Sequence, residues 1–354
     1  MEPMNQKKLK IAAIGLNEQT EQLLDIAWES DLCEIAAVAD ERAERADTFA
    51  RKYECQTFTD YRQLIIQTET DCLLFGSPIH LCAEFIRLGI QQKRHILKLC
   101  PPALDFEQLA EFYRSAQKEQ VLFVTLQHSR FGLPFNNFRQ IITKPEQEQA
   151  WHLISAVCHV PAGDIDPSMR WLNDPKTAGG GVLLQNCYDL IDELVLCFGL
   201  PQRLFALTIN QAPDKQQRLS LTEDTALLSM QFADNLIAQL AASRTLGPAR
   251  RHLRVHGQRQ HITAAEDTVV IYDNAGARVS EQQYPDDSIP SKKRMLENLA
   301  QSLLDPKNHS LYPPFGSDLK TFAVIESAYL SNRTGMPEEP GRILNLAGFD
   351  GLAF

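Results

Sequence analysis

The sequence lacks most of the features that would assign it at a glance. Its eight cysteines, at 33, 55, 72, 82, 100, 158, 187 and 197, include no Cys-x-x-Cys, and no Cys/His set has zinc-site spacing. That excludes a structural zinc module and makes buried, reduced thiols the expected state. No apolar run approaches the ~18 residues of a membrane span. The opening "MEPMNQKKLK" lacks the apolar core of a signal peptide. A cytoplasmic protein without a membrane partner is therefore expected. Positive charge is also short: 35 Lys and Arg face 45 Asp and Glu, a net charge of −10. Nucleic-acid binding depends on neutralising phosphates and is disfavoured. There is no internal repeat and no low-complexity segment.

What is present is a chain of 354 residues, 44% hydrophobic and 23% charged, enough for two domains with real cores. Its first third alternates strand and helix. "LKIAAIG", "EIAAVAD", "DCLLFGSP", "HILKLCPP" and "VLFVTL" read as strands, with amphipathic helices between them. Repeated βα units predict a doubly wound parallel sheet over residues 1–126. From residue 127 the pattern changes to longer alternating segments, including "RLFALTIN", "TALLSMQFA", "LIAQLAASRT", "RHLRVHG" and "TVVIYDN". "FADN" reads as a hairpin turn and "VLLQNCYDLIDELVLCFG" as one long helix. The whole chain is read as α/β, with an α+β second domain over 127–354 built on a large, open-faced, mostly antiparallel sheet.

A strand ending in Gly, a helix, and a strand ending in Asp form the frame of a dinucleotide site. Gly15 supplies the tight turn and Asp40 suits a ribose hydroxyl pair, which favours NAD over NADP. The remaining glycine positions hold Asn17 and Thr20. Asn17 tolerates a left-handed backbone but is expected to fill space where phosphate would sit. Glu18 and Glu21 suit the helix dipole yet compete with a pyrophosphate. Asp40 also has the simpler reading of a residue that starts the next helix.

Several segments together resemble the glucose–fructose oxidoreductase / inositol dehydrogenase family (Gfo/Idh/MocA), from about residue 8 to 345. "SPIHLCAEF" is similar to the family's cofactor-edge turn, with Ser77, Pro78 and His80 matching. "RHILKLCPPAL" resembles its strand ending in Glu-Lys-Pro, and "QHSRFGLP" the opening of its second domain, with Arg130 and Pro134 matching. "AGGGVLLQNCYDLID" resembles its Gly-rich turn and active-site helix, and "AYLSNRTG" its last helix. The resemblance implies a Rossmann domain plus an open-sheet domain, a homo-oligomer formed through that sheet, and hydride transfer between nicotinamide and a sugar or polyol. It also implies a catalytic Lys, Asp and His. On this chain those positions are Cys100, Gln185 and Asp189, with Cys187 at a glycine position.

The candidate catalytic residues are accordingly Lys98, Cys100, Gln185 and Asp189. Gln185 cannot accept a proton at neutral pH but can hold a hydroxyl. Asp189 could serve as a base. Lys98 shares a strand face with Cys100, and its long side chain could partly cover the gap of roughly 7 Å to that position, giving a rebuilt Lys98/Asp189 relay. Against this stands a structural, snorkelling lysine. Cys100 and Cys187 could approach each other, although buried cysteine is the commoner state. Arg130, Trp171 and Asn186 are the substrate-side candidates. Arg250, His252, Arg254 and His256 share one strand face, read mainly as solvated. The cofactor expected is NAD, the partner a small sugar or polyol, and no metal is implied. Three functions stay open: a catalytically altered or ligand-binding family member that has lost ordinary catalysis (a pseudoenzyme), an active dehydrogenase with a non-standard proton relay, and a structural partner subunit of an active homologue.

Overall fold

The computed structural model describes residues 7–143, 150–161, 167–210, 222–245 and 247–349. The first sheet contains β1 (Leu9–Ile14), β2 (Cys33–Ala39), β3 (Gln56–Phe58), β4 (Cys72–Phe75), β5 (His95–Leu99) and β6 (Phe123–Leu126). All pairs are parallel, in the order β3-β2-β1-β4-β5-β6. The connecting helices are α1 (Glu18–Trp28), α2 (Ala43–Lys52), α3 (Tyr61–Gln67), α4 (Ile79–Gln91) and α5 (Phe106–Glu119). The central strands are near-continuous apolar runs because helices cover both faces: all four residues of β4 are buried. Asn17, Asp60 and Asp105 cap their helices by accepting first-turn amides. Strand order reverses between β1 and β4, so a crevice opens at their carboxyl ends.

The second sheet contains β7 (Trp151–His159), β8 (Arg203–Ile209), β9 (Thr225–Gln231), β10 (Ile237–Ser243), β11 (Arg250–Gly257), β12 (Gln260–Ala265), β13 (Thr268–Asp273) and β14 (Arg278–Gln283). Their order is β14-β13-β12-β11-β7-β10-β9-β8, antiparallel except for the parallel β7–β10 pair. In β9 the alternation is clean: Ala226, Leu228 and Met230 point into the core while Leu227 and Ser229 point out. Helices α6 (Leu133–Thr143), α7 (Pro175–Ala178), α8 (Val182–Asn186), α9 (Tyr188–Phe198), α10 (Ser288–Leu304), α11 (Ser317–Thr334) and α12 (Pro340–Leu346) complete the chain. The outer face leaves Leu207, Leu227 and Ile237 exposed and carries a stacked His256–His261–Tyr272 ladder. Among the described residues no helix is long and apolar enough to cross a membrane.

Three details differ from the sequence reading. The long helix is broken at Cys187, which separates α8 from α9. Strands β3, β12 and β14 were not anticipated: β3 is only three residues long, β12 alternates weakly, and every residue of β14 is exposed. Finally, α10 crosses back from the second half of the chain. Its Met295, Leu296, Leu299 and Ala300 join the core built by Leu9, Ile11, Leu23 and Leu24. Burying such side chains contributes about 1.5–3 kcal/mol each, which fixes the start of α10 over the crevice.

Candidate active-site cleft

The site is built where the β1–α1 and β4–α4 loops meet the second sheet's helices. Gly15 has φ +79°, and a Cβ there would lie 1.9 Å from Ser77 Oγ and 2.7 Å from its amide nitrogen. Only glycine permits both the backbone and the approach. Asn17 does not project into the crevice as expected. Its Oδ1 accepts from Thr20 N (2.9 Å) and its Nδ2 donates to Gly76 O (2.9 Å), so the side chain is spent on capping α1 and joining two loops. The Thr20 hydroxyl is buried and donates to Gly15 O (3.0 Å). Asp40 is 6% exposed; Oδ2 accepts from Leu16 N (3.1 Å) and Oδ1 from Arg42 N (3.0 Å). Ser77 is buried and Pro78 starts α4. His80 packs against Trp171 with ring centroids 5.1 Å apart, so this pair bridges the two domains.

These residues fit a nicotinamide dinucleotide. A tight glycine turn, the first-turn amides of Glu18 and Gln19 at the positive end of α1, and a carboxylate closing β2 are all in place. The departures, Asn17 and Thr20, turn their polar atoms into the protein.

Beside this loop lies a cleft of about 300 Å³. Gln19 and Leu23 come from α1, Leu99 and Cys100 from the end of β5, and Gln127 and His128 from the end of β6. The facing wall supplies Gln185, Asn186, Tyr188 and Asp189, and α10 supplies Lys292 and Met295. The Gly-rich turn before α8 is anchored by buried Glu223, which accepts from Gly181 N (2.7 Å), Leu183 N (2.9 Å) and Tyr329 Oη (3.0 Å). A Cβ on Gly181 would fall 1.8 Å from Glu223 O, so this turn needs glycine for close approach.

The cleft brings together Cys100, Gln185, Asn186 and Asp189 from the sequence candidates. Gln185 Nε2 donates to Ala178 O (2.6 Å). Lys98 is not among the lining residues. It is 2% exposed and its Nζ donates to Leu99 O (2.6 Å); burial pushes its pKa down. Asp189 pairs instead with Arg251 (3.4 Å), so the Lys98/Asp189 relay does not form. Cys100 and Cys187 do not pair either: Cys187 contacts Cys158, whose Sγ also donates to Asn186 O (3.3 Å). Burial pushes the Cys100 thiol well above the usual range, which makes it a poor nucleophile.

Arg130 belongs to a buried network. Its Nε and Nη2 donate to Asp192 (2.7 and 2.8 Å), and Nη2 also reaches Asp318. Tyr113 (3.0 Å) and Tyr188 (3.3 Å) donate to Asp318, and Thr321 (2.7 Å) to Asp192. This hub ties α5 of the first domain to α9 and α11 of the second.

Three residues of the cleft and its border were not singled out from the sequence. His128 Nδ1 lies 3.0 Å from Ser291 Oγ. Lys292 Nζ donates to Gln22 Oε1 (2.6 Å). Arg251 pairs with Asp189 and with Glu193 (2.7 Å), whose burial pushes its pKa up to about 7. Strand alternation could have found Arg251, because a run whose even positions face out must aim its odd positions inward. No group of three His, Cys, Asp or Glu among the described residues is placed to hold a metal ion.

Comparison with known proteins gives matches along the chain. A model described as the oxidoreductase family, NAD-binding Rossmann fold, matches residues 9–128, and a GFO/IDH/MocA C-terminal domain model matches residues 150–263. A D-glucoside 3-dehydrogenase of Escherichia coli is 23% identical over 207 residues, 56% of this chain and 56% of that protein. A scyllo-inositol 2-dehydrogenase (NADP(+)) of Bacillus subtilis is 23% identical over 337 residues, 90% of this chain and 96% of that protein. An oxidoreductase from Agrobacterium radiobacter, solved with NAD+, L-tartaric acid and magnesium, superposes with a TM-score of 0.80 at 15% identity, covering 96% of this chain and 100% of that one.

Proposed function

The chain belongs to the Gfo/Idh/MocA oxidoreductase family, and from that premise we propose that it is a nicotinamide-dependent oxidoreductase of the sugar or polyol type with altered proton chemistry. The observation that carries this reading is the cleft itself. Its walls come from both domains, it adjoins the β1–α1 loop, and it presents amide, imidazole, carboxylate and ammonium groups suited to hydroxyls. A bound nicotinamide dinucleotide would supply the hydride acceptor or donor. Gly15 and the first turn of α1 would hold its phosphates, and Asp40 its adenosine ribose. Asp40 supports NAD over NADP, because a carboxylate repels a 2′-phosphate.

The test is binding followed by turnover. Thermal shift with NAD, NADH, NADP and NADPH should show stabilisation, larger for the NAD pair. A panel of sugars and polyols should then give dinucleotide reduction, followed by the absorbance of the reduced nicotinamide. No stabilisation by any of the four sinks the reading.

A second reading, ligand binding without turnover, is favoured by Cys100, Gln185 and Asp189 standing at the family's Lys, Asp and His positions. It expects polyol-induced stabilisation with no dinucleotide reduction. A homo-oligomer, or pairing with an active homologue, would use the open sheet face with Leu207, Leu227 and Ile237, which co-purification and sedimentation test.

A further inference from the structure

The family's proton-handling positions carry no lysine or histidine here, yet the cleft holds an imidazole elsewhere on its wall. We infer that His128 is the catalytic proton acceptor, held in its accepting tautomer by Ser291, with the Lys292 ammonium favouring the developing alkoxide. The inference rests on the hydride-transfer reading above.

The hydrogen bonds around Ser291 support this tautomer. Ser291 is 2% exposed, and its single hydroxyl proton goes to Ser288 O at 2.9 Å. The same oxygen lies 3.0 Å from His128 Nδ1; with its proton on Ser288 O it accepts there, which is the arrangement we assign, and Nδ1 then carries the ring proton. A neutral imidazole protonated on Nδ1 keeps its lone pair on Nε2. Nε2 has no partner among the described residues, and the ring lines the cleft together with Gln185 and Asp189. Ser291 therefore acts as a positioning residue.

Burial, helped by two neighbouring cations, keeps the ring neutral. Burial is the largest influence and pushes the His128 pKa down; Lys292 on α10 and Arg251 on β11 push the same way. Asp189 on α9 and Asp287 before α10 oppose them without reversing the direction. A neutral acceptor at pH 7 is what oxidation of an alcohol needs. Lys292 is nearly buried, held by Gln22 Oε1 at 2.6 Å, and lines the same cleft. A fixed cation there stabilises negative charge on the substrate oxygen. The step would balance: His128 Nε2 would take the alcohol O–H proton as the C–O bond became a carbonyl, and a bound oxidised nicotinamide would supply the acceptor for the C–H pair as hydride.

The first test needs no cofactor. Nitrogen NMR of the ligand-free full chain should show His128 protonated on Nδ1 at pH 7.5, titrating below free histidine, and Lys292→Met should raise that pKa. The second test uses turnover. His128→Asn should lower kcat on the order of 100- to 10,000-fold with KM little changed, and should abolish the acid limb of the kcat–pH profile. Ser291→Ala should keep the limb but lower kcat less. An Nε2–H tautomer, or a His128→Asn enzyme with wild-type kcat and an intact acid limb, overturns this inference and leaves the proposed function standing. Failure of the wild type to reduce either dinucleotide with any sugar or polyol overturns the proposed function and takes this inference with it.

Discussion

Replacing Arg130 with methionine is expected to loosen the joint between the domains rather than to weaken ligand binding. Methionine fills a similar volume but carries no charge. It would leave Asp192 and Asp318, 1% and 2% exposed, sharing a buried space without their cation. Removing one partner of a buried ion pair typically costs about 3–5 kcal/mol. Two carboxylates share this guanidinium, so the upper end applies. The loss is not larger because Thr321, Tyr113 and Tyr188 still donate to them, each such bond to a charged group being worth about 1.5–3 kcal/mol. Urea unfolding followed by fluorescence should show the midpoint fall by on the order of 1 M, given slopes of a few kcal/mol per molar. Adding Asp192→Asn and Asp318→Asn to the same chain should recover part of the loss, since the uncompensated charges are then gone. An Arg130→Met protein as stable as wild type, but with weakened ligand affinity, would refute this account and return Arg130 to the substrate-contacting role that family resemblance suggests.

Glu193 should make stability depend on pH. Its folded pKa is raised from 4.5 to about 7 by burial, so between those values the folded state holds a proton that the unfolded chain releases. Its stabilising contribution is complete below the unfolded pKa and is lost as pH climbs to about 7, a swing of about 3 kcal/mol for the shift. Glu193→Gln should flatten denaturation midpoints between pH 5 and 8, and an unchanged slope would count against the burial argument. Lys98→Met should leave turnover intact and stability equal or up to about 1 kcal/mol higher, because a buried ammonium with one carbonyl partner gains little from its charge; lost activity would revive Lys98 as a relay residue. Gly15→Ala should lower the melting temperature and abolish dinucleotide-induced stabilisation, since its Cβ would overlap Ser77 Oγ; retained stabilisation would show that the loop can yield.

The parallel half was legible because its strands are buried on both faces and each βα unit repeats the same signal. "DCLLFGSP" cannot be anything but a short core strand once Ser-Pro stops it. The open sheet was legible where one face meets helices, as in β9, and lost where neither face is buried, as in β14. The break at Cys187 left no mark, since the residues from 182 to 198 contain no proline or glycine to announce it. The crossing of α10 onto α1 was equally silent. An amphipathic helix declares that it has an apolar face, not which core receives it.

The cleft shows the same limit at the scale of single atoms. Alternation correctly put Lys98 and Cys100 on one face, but face is not reach: Nζ turns back to Leu99 O and never arrives at Asp189. The residue that does meet Asp189 is Arg251, and it stood between Arg250 and His252 in a run judged only by its outward face. His128 lay inside a segment already matched to the family through Arg130, and drew no notice because its chemistry depends on Ser291, 163 residues away. A histidine becomes a proton acceptor by what holds its other nitrogen. That partner is set by α10 returning over α1, so the tautomer of His128 is a consequence of tertiary packing that local pattern cannot encode.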